Sequence, residues 1–259
     1  MAALGAPELI ALALCGLAAG IGITAVGPGG VLATIGLVAF TGLPPATVAG
    51  TAIVTHVATG ALGTAAYRRS GQLRQPPARR SALILAAAAV VATPLGVLVN
   101  AQVSGRLFGI LLGAFAVLVA GFVWSRRRRD RRSAAPVEHH PRHPLPLLAA
   151  IGLAVAVVSG LLGLGGPMLA VPLLVAIGVP LLSALAAAQA QSVVIAGVGT
   201  IGYVVQGAVD WPLAALVGVP ELGGVLIGWK IARTLPTRRL EQGLILVLLA
   251  LAPYLALHG

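Results

Sequence analysis

Few side chains in this sequence could do chemistry, and they sit inside stretches that are otherwise apolar. Thr51, Thr55 and Thr59 form an i, i+4 stripe with His56 beside it. Gln189, Gln191 and Ser192 occupy a second such place, and Glu221 stands alone in "LVGVPELGGVLIG". Hydroxyl and amide donors suit an oxyanion without fixing a countercharge, so a bound anion could also leave. A carboxylate at membrane depth costs at least ~2.5 kcal/mol, so Glu221 must be paired, protonated or wet. Two roles are open to it: a cap for a helix resuming after Pro220, or a proton carrier. For the hydroxyls and amides the competing role is hydrogen bonding between helices, worth ~0.6 kcal/mol on average in membranes.

The backbone offers donors of its own. "GITAVGPGGVLATIGL" (Gly22 to Leu37) and "VSGLLGLGGPMLAVPLL" (Val158 to Leu174) break two apolar segments in the same manner. Unsatisfied N–H and C=O groups cannot face lipid, so such breaks survive only against protein or a wet cavity. Gly29, Gly30, Gly165 and Gly166 are therefore expected to let backbone approach a substrate. The helix starts at Gly30 and Gly166 would add positive dipole ends. Gly16/Gly20, Gly105/Gly109/Gly113 and Gly224/Gly228 read differently, as close-packing faces at i, i+4 spacing. They could serve within the chain or in a homodimer.

Apolar residues make up 58% of the 259 and charged ones 9%, against roughly 25% charged in soluble domains. Long, nearly charge-free apolar runs predict an all-α polytopic membrane protein. Ten segments can be drawn, and two of them, Gly29 to Gly42 and Gly166 to Gly178, are too short for an upright span of ~17 residues. Each follows a glycine break, and the pattern leaves open whether it crosses or re-enters. Cys15 has no basic residue before it, and Leu14 stands where a lipoprotein box needs a small residue. The first segment therefore reads as retained.

The net charge of +11 gathers in three connections: Arg68 to Arg80, Arg126 to Arg142, and Lys230 to Arg239. Positive loops stay cytoplasmic, which predicts both chain ends outside a plasma (inner) membrane. The "RRRRDRR" run then sets orientation, and no nucleic-acid partner is expected. The organisation predicted is a first membrane repeat over 1–124, a basic cytoplasmic linker over 125–144, and a second repeat over 145–259. "HHPRHP" in the linker is a weak metal reading at most, since its prolines prevent a helical His pair. No metal or other cofactor is expected.

Shifted by 136 residues, the halves overlie: Gly27, Gly29 and Gly30 fall on Gly163, Gly165 and Gly166, Pro44 on Pro180, and Tyr67 on Tyr203. Thr55 then opposes Gln191, and His56 opposes Ser192. "PLGVLV" (Pro94 to Val99) pairs more loosely with "LGGVLI" (Leu222 to Ile227). Five segments per half give an odd number of crossings, so the second copy is expected upside down. Inverted repeats with broken helices are a transporter architecture.

"GLLGLGGPMLAVPLLVAIGVP" followed by "GYVVQGAVDW" resembles the TauE/SafE family of membrane permeases, proposed exporters of sulfite and sulfonates. The resemblance implies two homologous halves, each with a G-x-G-G break, a short proline-bearing helix and an aromatic-x-x-x-G loop. In the first half, Thr34 to Gly36 lack that proline, and Gln72 to Arg74 replace the loop's "vd". It implies a permease for a small anion and no enzyme. No Gly-x-Ser-x-Gly, phosphate-loop lysine or His/Glu metal spacing contradicts this. The alternatives are a non-transporting scaffold or partner subunit, and a cation carrier using Glu221.

Overall fold

The computed structural model describes residues 4–25, 27–130 and 144–234. The described residues are helical: α1 (Ala6–Ala25), α2 (Val31–Thr41), α3 (Pro45–Arg69), α4 (Pro76–Asn100), α5 (Gly105–Asp130), α6 (Leu145–Leu162), α7 (Pro167–Ala176), α8 (Leu181–Val205) and α9 (Trp211–Thr234). Seven are long and apolar enough to cross a membrane, and α2 and α7 are not. At 1.5 Å per residue, α3 or α8 covers the ~30 Å hydrocarbon core, whereas α2 and α7 cover about half. The tenth apolar segment, 238–257, and "HHPRHP" lie outside the described residues.

Proline opens several of these helices, where its missing N–H costs nothing. Glycine ends them. Among the described residues the positive-φ positions are all glycine and form three pairs 136 residues apart: Gly27 and Gly163, Gly42 and Gly178, Gly71 and Gly207. Left-handed backbone is nearly free for glycine and strained for other residues, so these three turns are written twice in the chain.

Close helix pairs follow the same duplication. A side chain on Gly20 would strike the Glu221 carbonyl, and one on Gly224 the Leu17 carbonyl, so α1 and α9 lie backbone to backbone. Gly160 sits likewise against the Thr93 carbonyl, and Gly96 against the Val157 carbonyl, which joins α6 to α4. The glycine faces Gly16/Gly20 and Gly224/Gly228 are thus filled within the chain and do not supply the self-association surface considered above. Gly105 meets open space.

The third close pair is α3 with α8, counterparts in the two halves. Gly50 packs on Tyr203, Ile53 on Gly199, Gly60 on Val193, and Gly63 on Gln189. Numbers rise along one helix as they fall along the other, so the two run antiparallel. The same contacts set the helix ends. Gly16 is level with Val217, early in α9, and Gly50 abuts the Ala208 carbonyl just before α9. The start of α1 and the start of α3 therefore lie at one end of the bundle, and α1–α2 enters and returns. Of the two arrangements left open by charge, this is the one expected of a re-entrant pair, and α6–α7 enters and returns at the other end of the bundle.

One expectation changes. Pro220 lies inside a continuous α9, so Glu221 does not cap a resumed helix. A proline inside a well-packed helix loses one hydrogen bond, and close contact with α1 holds the axis on both sides of it. The basic run begins inside α5, which continues to Asp130.

Candidate functional site

The two re-entrant pairs meet halfway along α3 and α8. From Pro45 to His56 is 11 residues, the length of α2, so Gly30 at the start of α2 returns to the depth of His56. A methyl group on Gly30 would lie 3.1 Å from His56 Cε1 and 2.6 Å from Met168 Cε. From the other half, a methyl on Gly165 would lie 3.6 Å from His56 Cγ, 3.7 Å from its Cδ2 and 3.2 Å from Ser192 Oγ. The imidazole is thus held between the two breaks. Nε2 is bonded to both Cε1 and Cδ2, so it occupies the ring edge between Gly30 and Gly165.

The other edge of the ring faces α9. His56 Nδ1 lies 3.0 Å from Glu221 Oε1, and the two side chains are 1% and 0% exposed. The approach is close without the alignment of a hydrogen bond. Both nitrogens of His56 and both oxygens of Glu221 lack a hydrogen-bond partner. A buried ionisable pair with this much unused hydrogen-bonding capacity is costly unless something else occupies it in the working cycle.

Ser192 supplies a neutral counterpart. Its hydroxyl accepts the Gly166 N–H at 3.3 Å, at the N-terminus of α7. Both α2 and α7 run outward from the site, so each points its positive dipole end toward His56 and Ser192. In the looser sequence register that pairs "PLGVLV" with "LGGVLI", the counterpart of Glu221 is Thr93. One half therefore carries His and Glu at positions where the other carries Ser and Thr.

The remaining candidates are placed elsewhere. Thr51 Oγ1 accepts the Asp210 N–H at 3.0 Å and fastens the turn before α9. Thr55 donates to the Ala52 carbonyl at 2.9 Å, and its methyl covers Gly218. Gln191 Nε2 donates to the Gly152 carbonyl at 3.1 Å, tying α8 to α6. Gln189 packs on Gly63 with its Nε2 unpartnered. Gly29 turns to Gly22 and packs α1 against the first break, leaving Gly30 as that break's contact with the ring. Sequence reasoning placed none of Thr34, Asn100 and Tyr203 among the site candidates, noting Tyr203 only as a repeat position and Thr34 only where the first half lacks a proline; all three bond the carbonyl end of α6. A clue was available in Asn100, a lone amide closing an apolar segment.

Paired re-entrant helices whose broken ends enclose a buried ionisable pair, in a bundle of long apolar spans, have the build of a membrane permease. The family model described as "Sulfite exporter TauE/SafE" matches residues 12–255, nearly the whole chain, and the protein belongs to that family. It is a family of transporters and not of enzymes. No curated protein and no solved structure gave a match.

Proposed function

We propose that this permease carries a small sulfur oxyanion or sulfonate out across a plasma membrane, by alternating access between two inverted halves. The carrying observation is the convergence of both breaks on His56, across from Glu221. In this reading Gly30, Gly165, Gly166, His56 and Ser192 hold the anion, and Glu221 exchanges a proton as it binds. Inversion is supported by the antiparallel run of α3 and α8, which are counterparts. The paired contacts of α1 with α9 and of α6 with α4 support it too.

The basic end of the bundle, with Arg68 to Arg80, the start of Arg126 to Arg132, and Lys230, faces the cytoplasm in this reading. Both chain ends then lie outside. The cation-carrier alternative would need a carboxylate open to a cation, whereas Glu221 faces an imidazole nitrogen at 3.0 Å. Flux in proteoliposomes tests the proposal. Movement of sulfite or a sulfonate down its gradient is expected, and no movement of sulfite, sulfonates or simple carboxylates would remove it.

A further inference from the structure

A helix that stops inside a bundle leaves its last carbonyls without donors, and apolar surroundings make that strongly unfavourable. At the end of α6 three side chains from three other helices meet this need. Tyr203 OH on α8 donates to the Gly160 carbonyl at 2.7 Å. Asn100 Nδ2 on α4 donates to the Leu161 carbonyl at 2.6 Å. Thr34 Oγ1 on α2 donates to the Gly163 carbonyl at 3.3 Å. All three side chains are buried, and the bonds reach the last turn and the glycine that begins the second break.

Among the described residues, the first break shows no such set of side-chain bonds. The counterpart of Thr34, 136 residues on, is Ala170. The counterpart of Asn100, in the sequence register that pairs Gly96 with Gly224, is Gly228. Neither has a side-chain donor; the counterpart of Tyr203, Tyr67, has a hydroxyl, but none of the described bonds to α1 comes from it. Among the described residues, the end of α1 has a backbone bond from the Gly27 N–H to the Gly22 carbonyl at 2.9 Å, and one side-chain hydroxyl, Thr24, shared between the Gly20 and Val225 carbonyls at 3.1 Å each.

We infer that Thr34, Asn100 and Tyr203 are positioning residues that clamp the carbonyl end of α6. They keep Gly165 and Gly166 beside His56 and Ser192, as the fixed wall of the anion site. The first break, without this clamp, is the wall that moves. The inference rests on the reading of the breaks as the anion site, but the clamp itself can be tested without any substrate.

Tyr203→Phe and Thr34→Val each remove a donor and little else, and Thr34→Ser keeps the donor as a control. Hydrogen exchange is followed on the full chain in detergent with no anion added. In the wild type the amides of 27–31 should exchange at least about ten-fold faster than those of 163–166. Tyr203→Phe and Thr34→Val should abolish most of that difference, and Thr34→Ser should retain it. In proteoliposomes both donor-removing variants should need about ten-fold more sulfite for half-maximal flux at an unchanged maximal rate, the size expected for stranding one buried carbonyl. Equal exchange at the two breaks in the wild type would overturn the inference. So would unchanged exchange in both variants, or Thr34→Ser behaving like Thr34→Val. A wild type that moves no sulfite refutes the transport reading, and the exchange comparison still decides the clamp.

Discussion

The contact between His56 and Glu221 gives the sharpest quantitative prediction. At 3.0 Å a fully ionised pair attracts by roughly 5 kcal/mol at an effective dielectric of about 20. Much of that is cancelled by taking both groups out of water, so the net worth of the pair can be near zero. Breaking it is another matter. Removing one partner leaves the other buried and uncompensated, which costs about 3–5 kcal/mol where the survivor stays charged. His56→Gln and Glu221→Gln should therefore each destabilise the protein clearly. The double variant should be less destabilised than the sum of the two, by at least about 1 kcal/mol, because groups in direct contact are not additive. Thermal or denaturant unfolding in one detergent measures all four proteins on one scale.

Transport should separate the two roles. If Glu221 carries the coupling proton, Glu221→Gln should lose flux driven by a proton gradient by about 100-fold or more, whereas exchange of anion for anion should survive. Exchange never requires the empty carrier to return with its proton released. His56→Gln, which removes the group between the breaks, should lose both modes. Additive stabilities within ~0.5 kcal/mol would show that the two residues do not interact. Equal loss of both flux modes in Glu221→Gln would remove it as the coupling group.

The glycines should divide by what a side chain would strike. Gly165→Ala meets Ser192 and His56 and should give folded protein with weakened stabilisation by sulfite, whereas Gly20→Ala and Gly96→Ala meet backbone carbonyls and should lower the folded yield instead. Thermal shift with and without sulfite distinguishes these outcomes. Gln191→Leu removes the bond to Gly152 and should cost about 0.6 kcal/mol of stability with no change in half-saturating sulfite, whereas Ser192→Ala should raise the latter. In a Cys15→Ser background, Gln102→Cys should react with an impermeant thiol reagent on whole cells and Gln72→Cys should not. The reverse pattern would invert the proposed orientation.

Much of the architecture was legible because it rests on local rules. Apolar run length marks the spans, and glycine at Gly27, Gly42, Gly71 and their counterparts marks the turns that need positive φ. That Gly29 to Gly42 and Gly166 to Gly178 fall short of an upright span was legible too, but whether they cross or re-enter was not. What remained hidden depends on which helices meet. Thr51 and Gln191 share the polar composition of a site, yet each spends its hydrogen bond on a neighbouring backbone group. Only the pairing of α3 with α9 separates them from His56. The same pairing explains Glu221, whose proline neighbour wrongly pointed to a helix cap.

The deepest consequence is chemical rather than topological. In the proposed reading, an inverted repeat makes two equivalent half-sites, and with identical side chains it would bind with no preference between them. Here His56 answers Ser192, Glu221 answers Thr93, and the donors at Thr34 and Asn100 are answered by Ala170 and Gly228. The backbone frame of the site is shared by both halves, because glycine turns and short helices leave little freedom to vary. The ionisable chemistry belongs to one half and the clamp to the other break. A carrier must keep two-fold geometry to open alike on both sides, but a proton needs only one acceptor. Confining that acceptor to α3 and α9, beside the less tethered break, would let one protonation event bias the moving wall and leave the fixed wall in place.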